Sequence, residues 1–250
     1  MEGVLTNICY RLTRKCNLKC SFCFACDNMS NSLMLDSIKQ SIIVLKELGM
    51  ESIRLGGGEP TLHPDLIEII KFCVGQNLDV ILFSNLFNIE KLFDDLVRLP
   101  ISVTTSIHGN ELEHNNITGT NSYKSTVANI NKFVNKGMNV NIHFIVTKKN
   151  YYYLGNIVED CTQWGVKKIS FQTFIPRERG KYCKKKYELS LNEIKELSLN
   201  IAQYRKKYGE LIKIKFDNLY EKYYYVFELD GNLYLQKSTE EEDILIRRII

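Results

Sequence analysis

Two spacings of apolar residues take turns along the chain. Runs rich in β-branched and aromatic residues occupy LTNICYRLT (5–13), ESIRLG (51–56), LDVILFS (78–84), ISVTTSI (101–107), MNVNIHFIVT (138–147) and VKKISFQTF (166–174). These read as strands. Between them, apolar residues recur every three or four positions. From Met34 to Leu48 the stripe is Leu35, Ile38, Ile42, Leu45 and Leu48. That is one face of a helix, with Asp36 suited to its N-terminal dipole and Gly49 to its end. Further helices are predicted from about Pro64 to Val74, Ile89 to Val97, Tyr123 to Lys136 and Leu154 to Trp164, with a loop before Tyr123.

Six strand–helix units in succession predict a parallel sheet with right-handed crossovers. Six are too few to close an eight-stranded barrel. The expected fold is therefore α/β, an open (β/α)6 partial barrel over residues 1–175. Beyond Phe174 the alternation stops. PRERGKYCKKK (176–186) holds six Lys or Arg, and a helix is expected over 191–207. KIKF (213–216) follows, then YYYVFEL (223–229) and NLYLQ (232–236) around Asp230–Gly231. Asp-Gly between two such runs signals a β-hairpin. Residues 176–250 are expected to pack on the core as an extension, its hairpin extending or covering a barrel edge that would otherwise expose an unpaired strand.

Composition narrows the function classes. At 250 residues, 44% hydrophobic and 25% charged, the chain suits a globular α/β unit with a well-buried core. A net charge of +4 argues against a dedicated nucleic-acid binder. No apolar run is long enough to cross a membrane, and MEGVLTNICY lacks the features of a signal peptide, so a cytoplasmic location is expected. Eight cysteines in such a setting point to metal or redox chemistry before disulfides.

Half of those cysteines fall within KCNLKCSFCFAC (15–26). Cys16, Cys20 and Cys23 are spaced C-x3-C-x2-C, with Phe22 before the last. Three thiolates on one loop can hold three corners of a [4Fe–4S] cube and leave the fourth iron open to a substrate or cofactor. Together with Cys26 they could also hold a structural zinc, although zinc sites usually draw ligand pairs from separate turns. Parallel α/β sheets bind ligands at the C-terminal ends of their strands. The cysteine loop, Gly57–Pro60, Ser84 and Asn85, Ser106 and His108, Thr147, and Gln172 all fall at such ends.

The cysteine spacing, with GGEP at Gly57, Gly58, Glu59 and Pro60, resembles the radical S-adenosylmethionine (radical SAM) superfamily over roughly residues 5–175. The resemblance implies one [4Fe–4S] cluster on Cys16, Cys20 and Cys23, with Cys26 a non-ligand. The open iron would be chelated by the amino and carboxylate groups of SAM, with Gly57, Gly58, Glu59 and Pro60 near its methionine end. Ser84, Asn85 and Ser106 match positions that contact SAM in the family, Thr147 is a further cofactor candidate, and Phe22 would shield the cluster. A low-potential donor such as flavodoxin or ferredoxin would reduce the cluster. Cleavage of SAM would then yield a 5′-deoxyadenosyl radical that takes hydrogen from substrate.

Plainer roles stand beside these. Glu59 can cap the next helix, Ser84, Asn85 and Ser106 can cap strand ends, and His108, the one catalytic candidate, can form a turn. His143 reads as a core histidine, and Phe171 and Phe174 as core. No cysteine follows Cys183, so a cysteine-rich SPASM-type domain with auxiliary clusters is not expected. The basic run 177–186 is a solvated face or a guide for an acidic partner. SIHG, ITGTNSY, VTKKN and IPRERG resemble enzymes that modify ribosomal peptides or other natural products. CNLKCSFCF and ELGMESIRLGGGEP also resemble viperin-like enzymes, which act on nucleoside triphosphates. A non-catalytic iron–sulfur or zinc protein is the alternative from another class.

Overall fold

A computed structural model describes residues 5–24, 32–218, 222–237 and 242–250; Cys26 lies outside them. Its strands are β1 (Asn7–Thr13), β2 (Ser52–Gly57), β3 (Asp79–Phe83), β4 (Ser102–Ser106), β5 (Asn139–Val146), β6 (Lys168–Thr173), β7 (Lys213–Asp217), β8 (Tyr223–Phe227), β9 (Asn232–Lys237) and β10 (Ile244–Arg248). They form one sheet in the order β10-β9-β8-β1-β2-β3-β4-β5-β6-β7. The ladders from β8 through β1 to β7 are all parallel, and β9 and β10 run antiparallel at one end.

The sheet is α/β and mostly parallel, as expected, but wider than six strands. β7 extends it beyond β6, and β8 joins β1 in parallel across more than two hundred residues of sequence. The hairpin therefore continues the sheet at the β1 edge. Hairpin signals are local, but the strand that a hairpin joins is chosen by tertiary packing. The tail ILIRRII was not assigned a strand, yet it supplies β10.

The helices are α1 (Leu35–Glu47), α2 (Leu66–Gly75), α3 (Phe93–Leu96), α4 (Glu111–Thr118), α5 (Tyr123–Asn135), α6 (Leu154–Gln163), α7 (Gly180–Tyr187) and α8 (Leu191–Tyr208). α3 is shorter than predicted: residues 90–92 form turns and the helix proper runs only from Phe93 to Leu96. α4 falls where a loop was expected. ELEHNNIT lacks an apolar stripe, but Asn110 caps it by accepting from Glu113 N at 3.0 Å, and left-handed Gly119 ends it. α7 lies within the basic run, where no helix was assigned. Among the described residues no helix is long and apolar enough to cross a membrane.

Burial alternates along the strands. On β1, Ile8, Tyr10 and Leu12 are fully buried, as are Ile142, Phe144 and Val146 on β5. They pack in one core with Ile38 and Ile42 of α1, Ile69 and Ile70 of α2, Phe133 of α5 and Ile157 of α6. Each such side chain contributes about 1.5–3 kcal/mol by leaving water. The intervening residues face the other way, and Cys9, Arg11, His143 and Ile145 among them are only partly covered.

Candidate active site

That second face surrounds a cavity of about 410 Å3. Its walls come from β1 to β6 and from β8 and β9, so the sheet curls around it. At the rim stand Cys16, Cys20, Cys23, Gly57, Gly58, Glu59, Ser84, Asn85, Ser106 and His108. Cys9, Arg11, Arg54 and Thr104 line it from further back along their strands, and His143, Gln172 and Tyr224 line it as well.

The cysteine loop is tied down on several sides. Gly58 N donates to Thr13 O and Glu59 N to Lys15 O, each at 2.7 Å. A Cβ on Gly57 would stand 2.2 Å from Thr13 O, and one on Gly58 2.1 Å from Lys15 O. No side chain fits there, so the paired glycines let the turn hydrogen-bond the loop's backbone. Lys19 N and Ser21 N donate to Thr118 O and Ile117 O of α4, both at 2.9 Å. From α7, Cys183 Sγ donates to Ser21 O at 3.3 Å and Tyr187 Oη bonds Ser21 Oγ at 3.2 Å. Asn85 Nδ2 donates to Asn17 Oδ1 at 2.7 Å, fastening the loop to the end of β3.

The thiols suit a cluster. Burial first, then Glu59 and Cys23, pushes Cys16 up to about 11, and burial first, then Cys23 and Cys16, pushes Cys20 up to about 12. A metal must displace those protons, because thiolates are the ligands. Cys20 feels both Cys23 and Cys16, so the three sulfurs face one another electrostatically. Among the described residues no three His, Cys, Asp or Glu side chains make a site for a single ion. A cube gives each cysteine its own iron, whereas zinc needs every sulfur at about 2.3 Å from one atom. Three thiols on one loop thus fit three corners of a cube.

Phe22 carries the turn between Cys20 and Cys23. Its ring meets His108 edge-on at 5.1 Å, Tyr187 at 5.8 Å and Phe174 at 6.0 Å. This small core is separate from the main one.

Glu59 is buried and four times bonded. Its Oε1 accepts from Ser84 Oγ at 2.8 Å, Thr61 Oγ1 at 2.7 Å and Thr61 N at 3.1 Å; its Oε2 accepts from Asn85 N at 2.8 Å. Burial raises its pKa against these bonds. The carboxylate therefore clamps the ends of β2 and β3 and caps the 3-10 turn Pro60–Leu62. Ser84 and Asn85 reach the cavity through that clamp. Ser106 lines the wall from β4. Thr147 does not line the cavity. Its Oγ1 donates to Asn150 Oδ1 at 3.1 Å in the turn after β5.

Among the described residues His108 Nδ1, in the wall, has no hydrogen-bond partner, and burial followed by His114 and His143 holds the ring neutral. His143 is not a satisfied core histidine, because it lines the cavity and its Nε2 has no partner among the described residues. Arg11, Arg54, His114 and Tyr224 were not singled out from sequence. Arg11 and Arg54 had one local signal, a charged residue within an otherwise apolar strand; His114 on α4 and Tyr224 in the tyrosine run of β8 had none.

The chain matches the sequence model of the Radical SAM superfamily over residues 10–161. It is 30% identical over 190 residues to an uncharacterized protein of Methanocaldococcus jannaschii, covering 72% of this chain and 66% of that one. It is 29% identical over 209 residues to a probable GTP 3′,8-cyclase of Saccharolobus islandicus, covering 79% and 67%. A shorter match, 45% over 71 residues, is to an S-adenosylmethionine-dependent nucleotide dehydratase of Siniperca chuatsi, covering 27% and 20%. Streptococcus suis SuiB bound to precursor peptide SuiA superposes with a TM-score of 0.79 at 16% identity, over 91% of this chain and 58% of that one. Native anSMEcpe with bound AdoMet and a peptide gives 0.78 at 18%, over 98% and 77%. At such identities the structural likeness shows the fold alone. The chain spans less than two thirds of SuiB and just under two thirds of the Methanocaldococcus protein.

Proposed function

The chain belongs to the radical SAM superfamily, and on that premise we propose that it removes hydrogen from a peptide or another natural product, with Cys16, Cys20 and Cys23 holding the cluster. Enzymes of this superfamily use a [4Fe–4S] cluster and SAM, which together supply one-electron chemistry at the substrate. The observation that carries the reading is that the three thiols and the GGEP turn open into one cavity.

The chain's own residues position and shield. Gly57 and Gly58 bring the turn's backbone against the cysteine loop, and Glu59 holds the ends of β2 and β3 at a fixed separation. Phe22 and Phe174 present apolar surface beside the thiols and keep water from them. Neutral His108 is the candidate to accept or return a proton at Nδ1. Residues 1–175 carry the cluster loop and turn, while Tyr224, Val226 and Gln236 of the extension close one wall. A low-potential flavodoxin or ferredoxin serves as reductant.

Anaerobic reconstitution tests this. Loaded and reduced protein is expected to bind about four irons per chain and release 5′-deoxyadenosine from SAM. A fully loaded cluster that leaves SAM intact would point to a non-catalytic iron–sulfur protein instead. A second reading, a nucleoside triphosphate substrate, draws on the similarity to the nucleotide dehydratase and the GTP cyclases. Formation of a dehydrated nucleotide from CTP would favour it over the peptide.

A further inference from the structure

Arginine is rarely left alone in a wall. Arg54 lines the cavity from the middle of β2, level with Cys9 on β1 and Ile81 on β3. Among the described residues it has no hydrogen-bond or ion-pair partner. The other cavity guanidinium is different, because Arg11 Nε pairs with Glu228 Oε1 at 3.0 Å. The nearby carboxylate of Asp217 is held by Lys222 Nζ at 3.6 Å. A half-buried, unpaired guanidinium is costly unless a ligand supplies the counter-charge.

Two further groups converge on it. Arg54 acts electrostatically on both His143 and Tyr224, which line the same cavity. Among the described residues His143 Nε2 is buried without a hydrogen-bond partner, and the Tyr224 hydroxyl has none either. Burial keeps His143 neutral and pushes Tyr224 up to about 12, so Tyr224 Oη retains its proton and can donate. Lys168 adds positive potential at His143. Pockets that orient a ligand usually do so with a few convergent polar groups of this kind.

We propose that Arg54, His143 and Tyr224 form a subsite that grips an oxyanion of the substrate, a carboxylate or a phosphate, at the floor of the cavity. The guanidinium fork matches either group with two parallel hydrogen bonds. Arg54 lies three residues before Gly57, about 10 Å down the strand. A substrate anchored there extends its other end toward the cysteine loop, so the anchor selects which atom meets the cofactor. The proposal rests on the enzymatic reading above and adds a substrate class to it: molecules with an anionic group roughly 10 Å from the reacting atom.

Calorimetric titration of reconstituted protein with pyrophosphate and, separately, glutarate tests the subsite. At least one probe is expected to bind wild type. Arg54→Gln should weaken it by about tenfold or more, Arg54→Lys by less, and Tyr224→Phe measurably. Pyrophosphate binding alone identifies a phosphate, and glutarate binding alone a carboxylate. The thermal midpoint of Arg54→Gln without anion should equal or exceed that of wild type, because an unpaired charge is removed. The proposal is overturned if neither probe binds wild type, if Arg54→Gln binds as well, or if the variant is destabilised. An equal loss of SAM affinity in Arg54→Gln would assign Arg54 to the cofactor and overturn it too. Failure of the enzymatic reading looks different: SAM stays intact on a loaded cluster while probe binding still depends on Arg54.

Discussion

Each cysteine of the loop has a separate prediction. Cys16→Ala, Cys20→Ala and Cys23→Ala should each lose most of the bound iron and abolish 5′-deoxyadenosine release, because three ligands cannot become two without freeing an iron. Cys26→Ala should retain both; loss of iron in a folded Cys26→Ala protein would make it a ligand. Gly58→Ala places a methyl group against a backbone carbonyl that cannot turn aside. We expect a loss of about 1–3 kcal/mol in chemical denaturation, with poor cluster assembly. The motif residues were legible because their spacing is local. The role of Glu59 was legible only in part. Sequence offered cap or cofactor contact as alternatives, and the structure shows a cap that also ties two strands together.

The element that best links local sequence to the site is α4. It has no apolar stripe, so periodicity misses it, yet its last carbonyls receive the Lys19 and Ser21 amides. The available signal was polar: Asn110 three residues before Glu113, and Gly119 after the last turn. Asn110→Ala should cost about 1 kcal/mol through the lost cap. It should also speed hydrogen exchange at the Lys19 and Ser21 amides, while β5 amides stay protected. Unchanged exchange at both loop amides would mean that α4 does not restrain the loop. α7 teaches the same lesson. The basic run 177–186 read as solvated surface, and Lys181, Lys184, Lys185 and Lys186 are exposed, but Arg177 is buried and pairs with Asp243 Oδ1 at 2.7 Å. The same helix also turns Cys183 and Tyr187 inward onto Ser21.

At the scale of the whole molecule, the hairpin is part of the main sheet. Phe227 is fully buried and stacks on Tyr10 of β1 with ring centroids 4.5 Å apart. Phe227→Ala is expected to lower stability by about 3–5 kcal/mol in a single cooperative transition. A loss below 1 kcal/mol would show the hairpin to be loosely attached. Sequence by itself determined the alternation of strands and helices, the parallel sheet, the cysteine triad and the glycine turn. Each is written in residues a few positions apart, where hydrophobic period and ligand spacing act directly. Tertiary structure alone decided that β8 lies beside β1, that α4 and α7 brace the cysteine loop, and that Arg54, His143 and Tyr224 share one cavity. Parallel ladders join strands distant in sequence, and no local pattern records which partner a strand will find. The charge inside the cavity is set by that pairing.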